Sequence, residues 1–289
     1  MEEKVHVPPI KIQGIKTKLV PFIRDNVQIS ESTLWIEPFL GSGVVGFNLA
    51  PQNAIFADTN PHLISFYNAI KNNDINAQIV RDFLQIEGAK LANSDANYYY
   101  EVRDRFNKAH NVLDFLFLNR CCFNGLMRFN RNGNFNVPYG HKRERFSKAY
   151  ITKVCNQVAF VEQKIRKNNW IFLCQSFEQT IRRVDTVGAF FEDVLIYCDA
   201  PYIGRHVDYY NGWTEKDEVK LHNTLMSSVK KRNVRFVVST WLQNSWRKNE
   251  FVDSVWSGCK IVTQEHFYHV GAKEANRGSV IEALLVNER

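Results

Sequence analysis

The stretch VLIYCDAPY, residues 194–202, is a continuous apolar run that stops abruptly at an acid, a proline and a tyrosine. Such a run is typical of a buried parallel strand, and open α/β sheets bind their ligands beyond the carboxyl ends of these strands. Asp199 supplies an acceptor-only carboxylate, Pro201 stiffens the turn, and Tyr202 offers a flat face for stacking. The stretch therefore predicts a strand followed by a site suited to a planar amine. The alternative is an ordinary exit from a strand into a loop.

A glycine-rich turn lies earlier in the chain, between two further strand-like runs. Residues 34–39 (LWIEPF) are typical of a strand, and residues 40–47 (LGSGVVGF) turn through small residues into a helix. Asp58 closes the next run at the distance where dinucleotide-binding folds hold ribose hydroxyls, which favours an adenosine-bearing cofactor. The chain lacks the loop G-x-x-x-x-G-K-S/T of nucleoside triphosphate sites. The glycines that approximate the pattern G-x-G-x-x-G are Gly41, Gly43 and Gly46.

The remaining apolar runs predict an α/β fold with a Rossmann-like sheet of about seven strands. Between residues 62 and 167 the alternation of strands and helices stops, and a largely helical, basic and aromatic region intervenes. We therefore expect a sheet domain formed by residues 1–61 and 168–289, with residues 62–167 inserted as a second domain. The runs concerned are 54–58, 170–174, 234–240 and 279–286.

The inserted region contains a predicted β-hairpin within residues 119–140. Asn132-Gly133 between alternating residues is a strong signal for a type I′ turn. The segment is dense in Arg and Asn and is followed by His141, Lys142, Arg143 and Arg145, which provide donors for base edges and phosphates. A polar surface hairpin that binds nothing is the alternative interpretation.

The net charge of +7 suits a polyanionic partner, although a merely basic enzyme would show the same charge. No window is apolar and long enough to cross a bilayer, and no signal sequence follows Met1, so we expect a cytoplasmic protein. The six cysteines show no C-x-x-C spacing and are expected to be reduced core thiols. Residues 8–20 place lysines around a glycine before a helix, which can hold a carboxylate or form a solvated arm.

Taken together, these stretches resemble the Dam-like, or D12-class, adenine-N6 DNA methyltransferases over essentially the whole chain. Six motifs in the family's order carry the resemblance. They are 14–16 (GIK), 37–43 (EPFLGSG), 57–61 (ADTNP), 122–126 with 135–138 (CFNGL and FNVP), 199–202 (DAPY) and 271–273 (GAK).

The resemblance implies S-adenosylmethionine as cofactor and double-stranded DNA as substrate, with no metal. It implies that residues 1–61 and 168–289 form the cofactor-binding catalytic domain and that residues 62–167 form a DNA target-recognition domain. It implies that a flipped adenine stacks on Tyr202 and gives its N6 hydrogens to Asp199 and to the carbonyl of Ala200, so that N6 takes the methyl group directly. The catalytic residues are predicted to be Asp199, Pro201 and Tyr202. The predicted cofactor-binding residues are Ile12, Lys16, Glu37, Phe39, Gly41, Gly43, Asp58, Ser176, Phe177 and Asp199. The predicted DNA-binding residues are Asn124, Leu126, Arg128, Asn130, Arg131, Pro138 and Lys142.

This sequence departs from the family's pattern at two positions. Ile12 stands where the family usually has Trp, so an aromatic contact to the cofactor is missing. Ala200 stands where the family has a first proline, which loosens the loop between Asp199 and Pro201.

The implied function is site-specific methylation of adenine N6, as the modification enzyme of a bacterial or phage-encoded restriction-modification system with a partner nuclease. The resemblance implies a site that begins G-A-T, with GATATC as one candidate. Two alternatives stay open. One is a methyltransferase weakened at Ala200 that acts as a DNA-binding protein, and the other is a methylase of another amine, such as RNA adenine or protein glutamine.

Overall fold

The computed structural model describes residues 4–94, 96–203, 213–231, 234–267 and 279–287. Seven strands form one mixed sheet, which confirms the predicted α/β class. The strands are β1 (Leu34–Glu37), β2 (Asn53–Asp58), β3 (Asn169–Cys174), β4 (Val194–Cys198), β5 (Val234–Asn244), β6 (Lys260–Phe267) and β7 (Ser279–Val286). Their order in the sheet is β3-β2-β1-β4-β5-β7-β6.

The centre of the sheet is parallel and buried, as the continuous apolar runs predicted. β1 pairs in parallel with β2 and β4, and β4 pairs in parallel with β5. Every residue of β1 and β4 is buried. Helices cover both faces of a parallel sheet, so its central strands do not alternate between buried and exposed residues. β7 then pairs antiparallel with both β5 and β6.

The described residues form ten α-helices, several of which begin at an Asn or Ser whose side chain accepts from backbone N–H groups of the first turn. The helices are α1 (Val20–Asn26), α2 (Val44–Leu49), α3 (Pro61–Lys71), α4 (Ala77–Asn93), α5 (Asn97–Ala109), α6 (Val112–Cys121), α7 (Lys148–Lys167), α8 (Phe177–Ile181), α9 (Glu215–Lys231) and α10 (Glu250–Ser254). Within the described ranges, no helix has the length and apolar character that a membrane span requires.

The chain divides into two compact units. The first comprises Met1–Val20, Gly41–Leu49 and Asp58–Cys174. It holds α2 to α7 and β3, which agrees with the helical character expected of residues 62–167. It includes two buried carboxylates that share a partly exposed arginine, since Arg105 bonds to Glu87 at 2.7 Å and to Asp114 at 2.5 Å. The assignment of residues 62–167 as a separate DNA-recognition domain stays a prediction.

The second unit comprises Pro21–Leu40, Ala50–Ala57 and Gln175–Arg289. It contains β1, β4, β5, β6 and β7 together with most of β2. β6 was not picked out from the sequence, because several of its residues are exposed and its apolar run is short. The motif at residues 271–273, which helped to carry the family resemblance, lies outside the described residues.

Candidate active site

The carboxyl end of β4 leads into the segment Asp199 to Ile203 in the second unit. β4 ends at Cys198, and the side chains of Asp199, Pro201 and Tyr202 are all partly exposed. Ala200 is buried, with 7% of its surface exposed. The three predicted catalytic residues therefore lie side by side where a buried strand meets solvent, which is where such sheets present ligands.

Two hydrogen bonds anchor this segment to neighbouring strands of the same unit. The Tyr202 hydroxyl donates to Oε2 of Glu282 at 2.7 Å, and it lies 3.5 Å from Oγ of Ser239. The Trp241 indole N–H donates to the carbonyl of Ile203 at 3.0 Å. Neither Glu282 nor Trp241 was predicted from the sequence, although a Glu inside the apolar run 279–286 is a signal that marks it as unusual.

An aromatic cluster in the second unit contains two of the predicted cofactor residues. The rings of Phe39 and Phe177 stack with their centroids 5.5 Å apart, and Trp213 packs edge-on against Phe39 at 5.6 Å. Trp213 was missed by the sequence reasoning, and its indole N–H is fixed by Oε2 of Glu218 at 2.6 Å. Ser176 caps α8, since its hydroxyl accepts from the backbone N–H of Gln179. Phe177 is buried, with 9% of its surface exposed, while Phe39 and Trp213 are half-buried, so these two rings supply the accessible apolar surface of the cluster.

Glu37 closes β1 as a buried carboxylate with 2% of its surface exposed. Its Oε2 accepts a hydrogen bond from the indole N–H of Trp35 at 2.9 Å, which fixes the orientation of the carboxylate. A buried charge of this kind is costly without several hydrogen bonds. β1 ends at Glu37, two residues before the end of the strand predicted over residues 34–39, and the role of Glu37 in cofactor binding stays a prediction.

The glycine turn and Asp58 lie together in the first unit. Oδ2 of Asp58 accepts from the backbone N–H of Gly41 at 3.0 Å, and Oδ1 accepts from that of Asn60 at 2.9 Å. Burial raises the pKa of the Asp58 carboxyl, and these backbone donors only partly offset that effect. The backbone N–H of Thr59 is a further donor to this carboxylate, which as an acceptor-only group retains capacity for a donor hydroxyl.

The turn itself needs glycine at Gly43. Its φ is +75°, and a Cβ there would lie 2.5 Å from the ring of Phe47, so a larger residue would collide with the core. The hydroxyl of Tyr67 donates to the carbonyl of Ser42 at 2.7 Å, and this bond fixes the backbone of the turn. The turn is therefore a fixed backbone surface that permits close approach of a ligand.

Lys16 and Ile12 belong to the same unit. Lys16 is buried, with 5% of its surface exposed, and its ammonium donates to the carbonyl of Gly14 at 3.1 Å. Ile12 approaches the glycine turn closely enough that a Cβ on Gly41 would lie 3.9 Å from its Cδ1. The structure therefore brings Ile12, Gly41 and Asp58 into one region of the first unit, and their role in cofactor binding stays a prediction.

The predicted hairpin is present in the first unit, although its turn differs from the predicted type. Isolated bridges pair Phe129 with Phe135 and Cys122 with Tyr139. A type I′ turn requires positive φ at both central residues. Gly133 has a φ of +76° but Asn132 does not have positive φ, so the prediction of a type I′ turn is wrong. Instead, Asn130 accepts on its carbonyl from Gly133 N and on its side chain from the N–H groups of Asn132 and Asn134.

The predicted DNA-binding residues of this segment differ in exposure. Arg128 is exposed, and its guanidinium donates to Asn136, from Nε to Oδ1 at 2.8 Å and from Nη2 to the carbonyl at 3.2 Å. Asn124 is exposed with a φ of +52°, a left-handed conformation that Asn tolerates. Leu126 is buried, with 7% of its surface exposed, so its side chain is not presented to solvent. The other four are exposed, namely Asn130, Arg131, Pro138 and Lys142.

The cysteines do not form a cluster with metal-ligand character. Within the described residues, no group of three or more His, Cys, Asp or Glu side chains could hold a metal ion. The expectation of core thiols holds for Cys121, Cys122, Cys155 and Cys198, and it is wrong for Cys174, which is exposed at the end of β3.

Comparison with known proteins gives consistent matches. The sequence matches the family described as D12 class N6 adenine-specific DNA methyltransferase over residues 13–270. The DNA adenine methylase of Vibrio cholerae serotype O1 is 30% identical over 244 residues, 80% of this chain and 79% of that protein. The DNA adenine methylase of Serratia marcescens is 34% identical over 197 residues, 67% of this chain and 66% of that protein. Type II methyltransferase M.FokI of Planomicrobium okeanokoites is 27% identical over 290 residues, 96% of this chain and 42% of that protein.

Proposed function

Since this chain belongs to the D12 class of N6 adenine-specific DNA methyltransferases, we propose that it moves a methyl group from S-adenosylmethionine to N6 of an adenine flipped out of duplex DNA. The observation that carries the proposal is the arrangement beyond β4, where the Asp199 carboxylate precedes a partly exposed Tyr202 whose hydroxyl is fixed by Glu282. A carboxylate acceptor beside an aromatic face fits a planar ring that bears an amino group.

The chemistry of the available side chains supports S-adenosylmethionine as cofactor. Asp58 would hold the ribose hydroxyls on its spare acceptor sites, and Lys16 would pair with the methionine carboxylate. Phe39, stacked on Phe177, offers the apolar ring surface that an adenine requires. When bound, the cofactor supplies an activated methyl group with a good leaving group, so no metal and no covalent enzyme intermediate is needed.

The role of the chain's own residues is to hold and activate the target base. A flipped adenine would stack on Tyr202, and its N6 hydrogens would be accepted by Asp199 and by the carbonyl of Ala200. These two acceptors pull the N6 lone pair out of conjugation with the ring, which makes N6 more nucleophilic. Correct placement of the acceptors supplies most of the catalysis, because the reacting groups are then held in a near-attack geometry.

Target selection is proposed to reside in the segment that contains the hairpin. Arg128 carries a planar fork of donors that matches the two major-groove acceptors of guanine, and it is exposed on the hairpin. We assign to it the guanine of a site that begins G-A-T, with GATATC, the site of an EcoRV-type modification methylase, as the specific candidate. The remaining exposed polar residues, Asn124, Asn130, Arg131 and Lys142, would contact base edges or phosphates.

A role in a restriction-modification system is the biological setting that we propose. It is supported by similarity to a protein named as a Type II methyltransferase, although that protein is more than twice as long as the matched region. Several other relatives are named simply as DNA adenine methylases, a name that does not imply a partner nuclease. Protection of the host's DNA from a co-encoded nuclease would distinguish the two settings.

The decisive experiment measures transfer of labelled methyl from S-adenosylmethionine to three acceptors in parallel: duplex DNA, RNA and protein containing glutamine. We expect label on duplex DNA alone, recovered as N6-methyladenine. Label on RNA or on protein would show that this acceptor, and not duplex DNA, is the substrate. Specific binding of duplex DNA without methyl transfer would identify a weakened enzyme that acts as a DNA-binding protein.

A further inference from the structure

Trp241 on β5 and Glu282 on β7 are directly opposite one another in an antiparallel ladder of the second unit. Residues opposite one another in such a ladder project their side chains to the same face of the sheet. Both side chains are buried, with 3% and 1% of their surfaces exposed. The pair is followed by an irregularity, because the register of β5 shifts between Trp241 and Gln243.

Both members of the pair bond to consecutive residues of the segment that follows β4. Glu282 accepts the hydroxyl proton of Tyr202 at 2.7 Å, and Trp241 donates to the carbonyl of Ile203 at 3.0 Å. One bond therefore fixes the end of a side chain and the other fixes the adjoining backbone. Together they restrain both the position and the tilt of the Tyr202 ring.

A carboxylate at this place in β7 is not explained by packing. The three residues that follow Glu282 in the strand, Ala283, Leu284 and Leu285, each have 1% or less of their surface exposed, while Ile281 before it is half-buried. Burying a charge in such a strand is costly, and an apolar residue of similar volume is often as stable or more so. The carboxylate is therefore better explained by what it holds than by what it adds to stability.

We propose that Trp241 and Glu282 are positioning residues that hold Tyr202 in the orientation required to stack the target base. The proposal rests on the proposed function, and neither residue is assigned a contact with the substrate. It also accounts for the alanine in this loop. Ala200 removes a restraint on the backbone before Pro201, and the pair restrains the same short segment from its other end.

The test compares Tyr202→Phe, Glu282→Ala and Glu282→Gln in single-turnover methylation of a duplex at saturating cofactor. Tyr202→Phe keeps the ring and removes its hydroxyl, with the 2.7 Å bond to Glu282 and the longer 3.5 Å contact with Oγ of Ser239, so it probes the contact without disturbing the core. We expect Tyr202→Phe and Glu282→Ala each to slow the methyl-transfer step by about tenfold to a hundredfold, the range for loss of a hydrogen bond to a charged group. Glu282→Gln keeps an acceptor and should retain most of the rate.

Two combinations distinguish positioning from a general loss of structure. Tyr202→Phe with Glu282→Ala should be no slower than the slower single variant, because both remove the same bond. Adding Ala200→Pro to Glu282→Ala should recover part of the rate, since it restores a restraint to the same segment. Glu265→Ala, an exposed glutamate on the adjoining strand β6, is the matched control and should leave the rate unchanged.

The fluorescence of a base analogue at the target position reports how that base is stacked, and a residue with a purely structural role would not change it. 2-Aminopurine at the target position is quenched by stacking, on an aromatic ring or on neighbouring bases, so its fluorescence at equal bound fraction should differ between Tyr202→Phe and the wild type. Wild-type rate and fluorescence in Tyr202→Phe would overturn the proposal, as would additive losses in the double variant. Absence of methylation by the wild type would instead reject the proposed function.

Discussion

Asp199 is the side chain on which the proposed chemistry depends most directly, and Asp199→Ala removes its carboxylate. We expect kcat to fall by at least about 10²-fold, as when one preorganised group that stabilises a transition state is lost. The fold should persist, because Asp199 lies beyond the last residue of β4 and is partly exposed. Methylation of duplex DNA measures the first effect and thermal melting measures the second. Near-normal turnover would remove Asp199 from the mechanism.

Asp58 makes a separate prediction about the cofactor. Asp58→Ala should weaken S-adenosylmethionine binding by about tenfold or more, the effect expected on losing hydrogen bonds to a charged acceptor. Calorimetry without DNA is the appropriate measurement, since it isolates the cofactor from the target base. Unchanged affinity would place the ribose site elsewhere in the chain.

The raised pKa of Asp58 gives that prediction a pH dependence with a definite sign. The ionised carboxylate accepts hydroxyl protons best, so wild-type affinity should fall as pH falls through the raised pKa, and Asp58→Ala should not show this fall. Stability changes in the opposite sense. Because the folded pKa lies above the unfolded one, the contribution of Asp58 to stability is present below the unfolded pKa and is lost as pH rises through the folded pKa.

At the scale of elements, the apolar runs predicted β1 to β5 and β7 with errors only at their ends. β4 was predicted at its observed bounds, because a fully buried strand leaves a continuous apolar run and an acid stops it. The turn of the hairpin could not be predicted from Asn132-Gly133 alone. The side chain of Asn130 accepts from two N–H groups of the loop, and this local bonding selects a different turn.

In the candidate active site, too, contacts between residues near in the chain could be predicted and contacts between distant strands could not. Asp199, Pro201 and Tyr202 are consecutive or nearly so, and therefore a strand end was enough to predict that they lie together. Glu282 lies 80 residues from Tyr202 in the chain, and their contact depends on the register of β7 against β5. Sequence patterns identify strands but do not fix the register between strands distant in the chain.

For the hairpin, the prediction concerns recognition of guanine by Arg128. Two of its donors already bond to Asn136, which holds the guanidinium fork in one orientation. Arg128→Ala should relax the preference at one guanine by about tenfold to a hundredfold, the value of a bidentate contact to guanine. The measurement is methylation of duplexes substituted at each position of the site.

Arg131→Ala is the matched comparison for Arg128, since Arg131 is exposed on the turn of the same hairpin. It should weaken methylation of all duplexes to a similar extent, because a phosphate contact carries no sequence information. If Arg128→Ala instead lowered activity equally on every duplex, Arg128 would be a positioning contact and the guanine would be read elsewhere.

At the scale of the whole molecule, a net charge of +7 predicts that DNA binding depends strongly on salt. Each phosphate neutralised by a basic residue releases condensed counterions, so the logarithm of the binding constant falls linearly with the logarithm of salt concentration. The slope of this line becomes steeper by about 0.9 for each phosphate that the protein neutralises, so it measures the number of phosphate contacts. It therefore separates residues that touch the backbone of DNA from residues that merely raise the net charge.

Lys142→Ala should lower this slope by about one unit and weaken binding to all sequences alike, because Lys142 is exposed directly after the hairpin. Lys167→Ala removes the same charge from the far end of the 20-residue helix α7, which starts at Lys148. That helix is about 30 Å long, well beyond the screening length of about 10 Å at 0.1 M salt. Lys167→Ala should therefore leave the slope unchanged. Equal slopes for Lys142→Ala and the wild type, measured by fluorescence anisotropy across a salt series, would show that Lys142 contacts no phosphate and that net charge alone explains its effect.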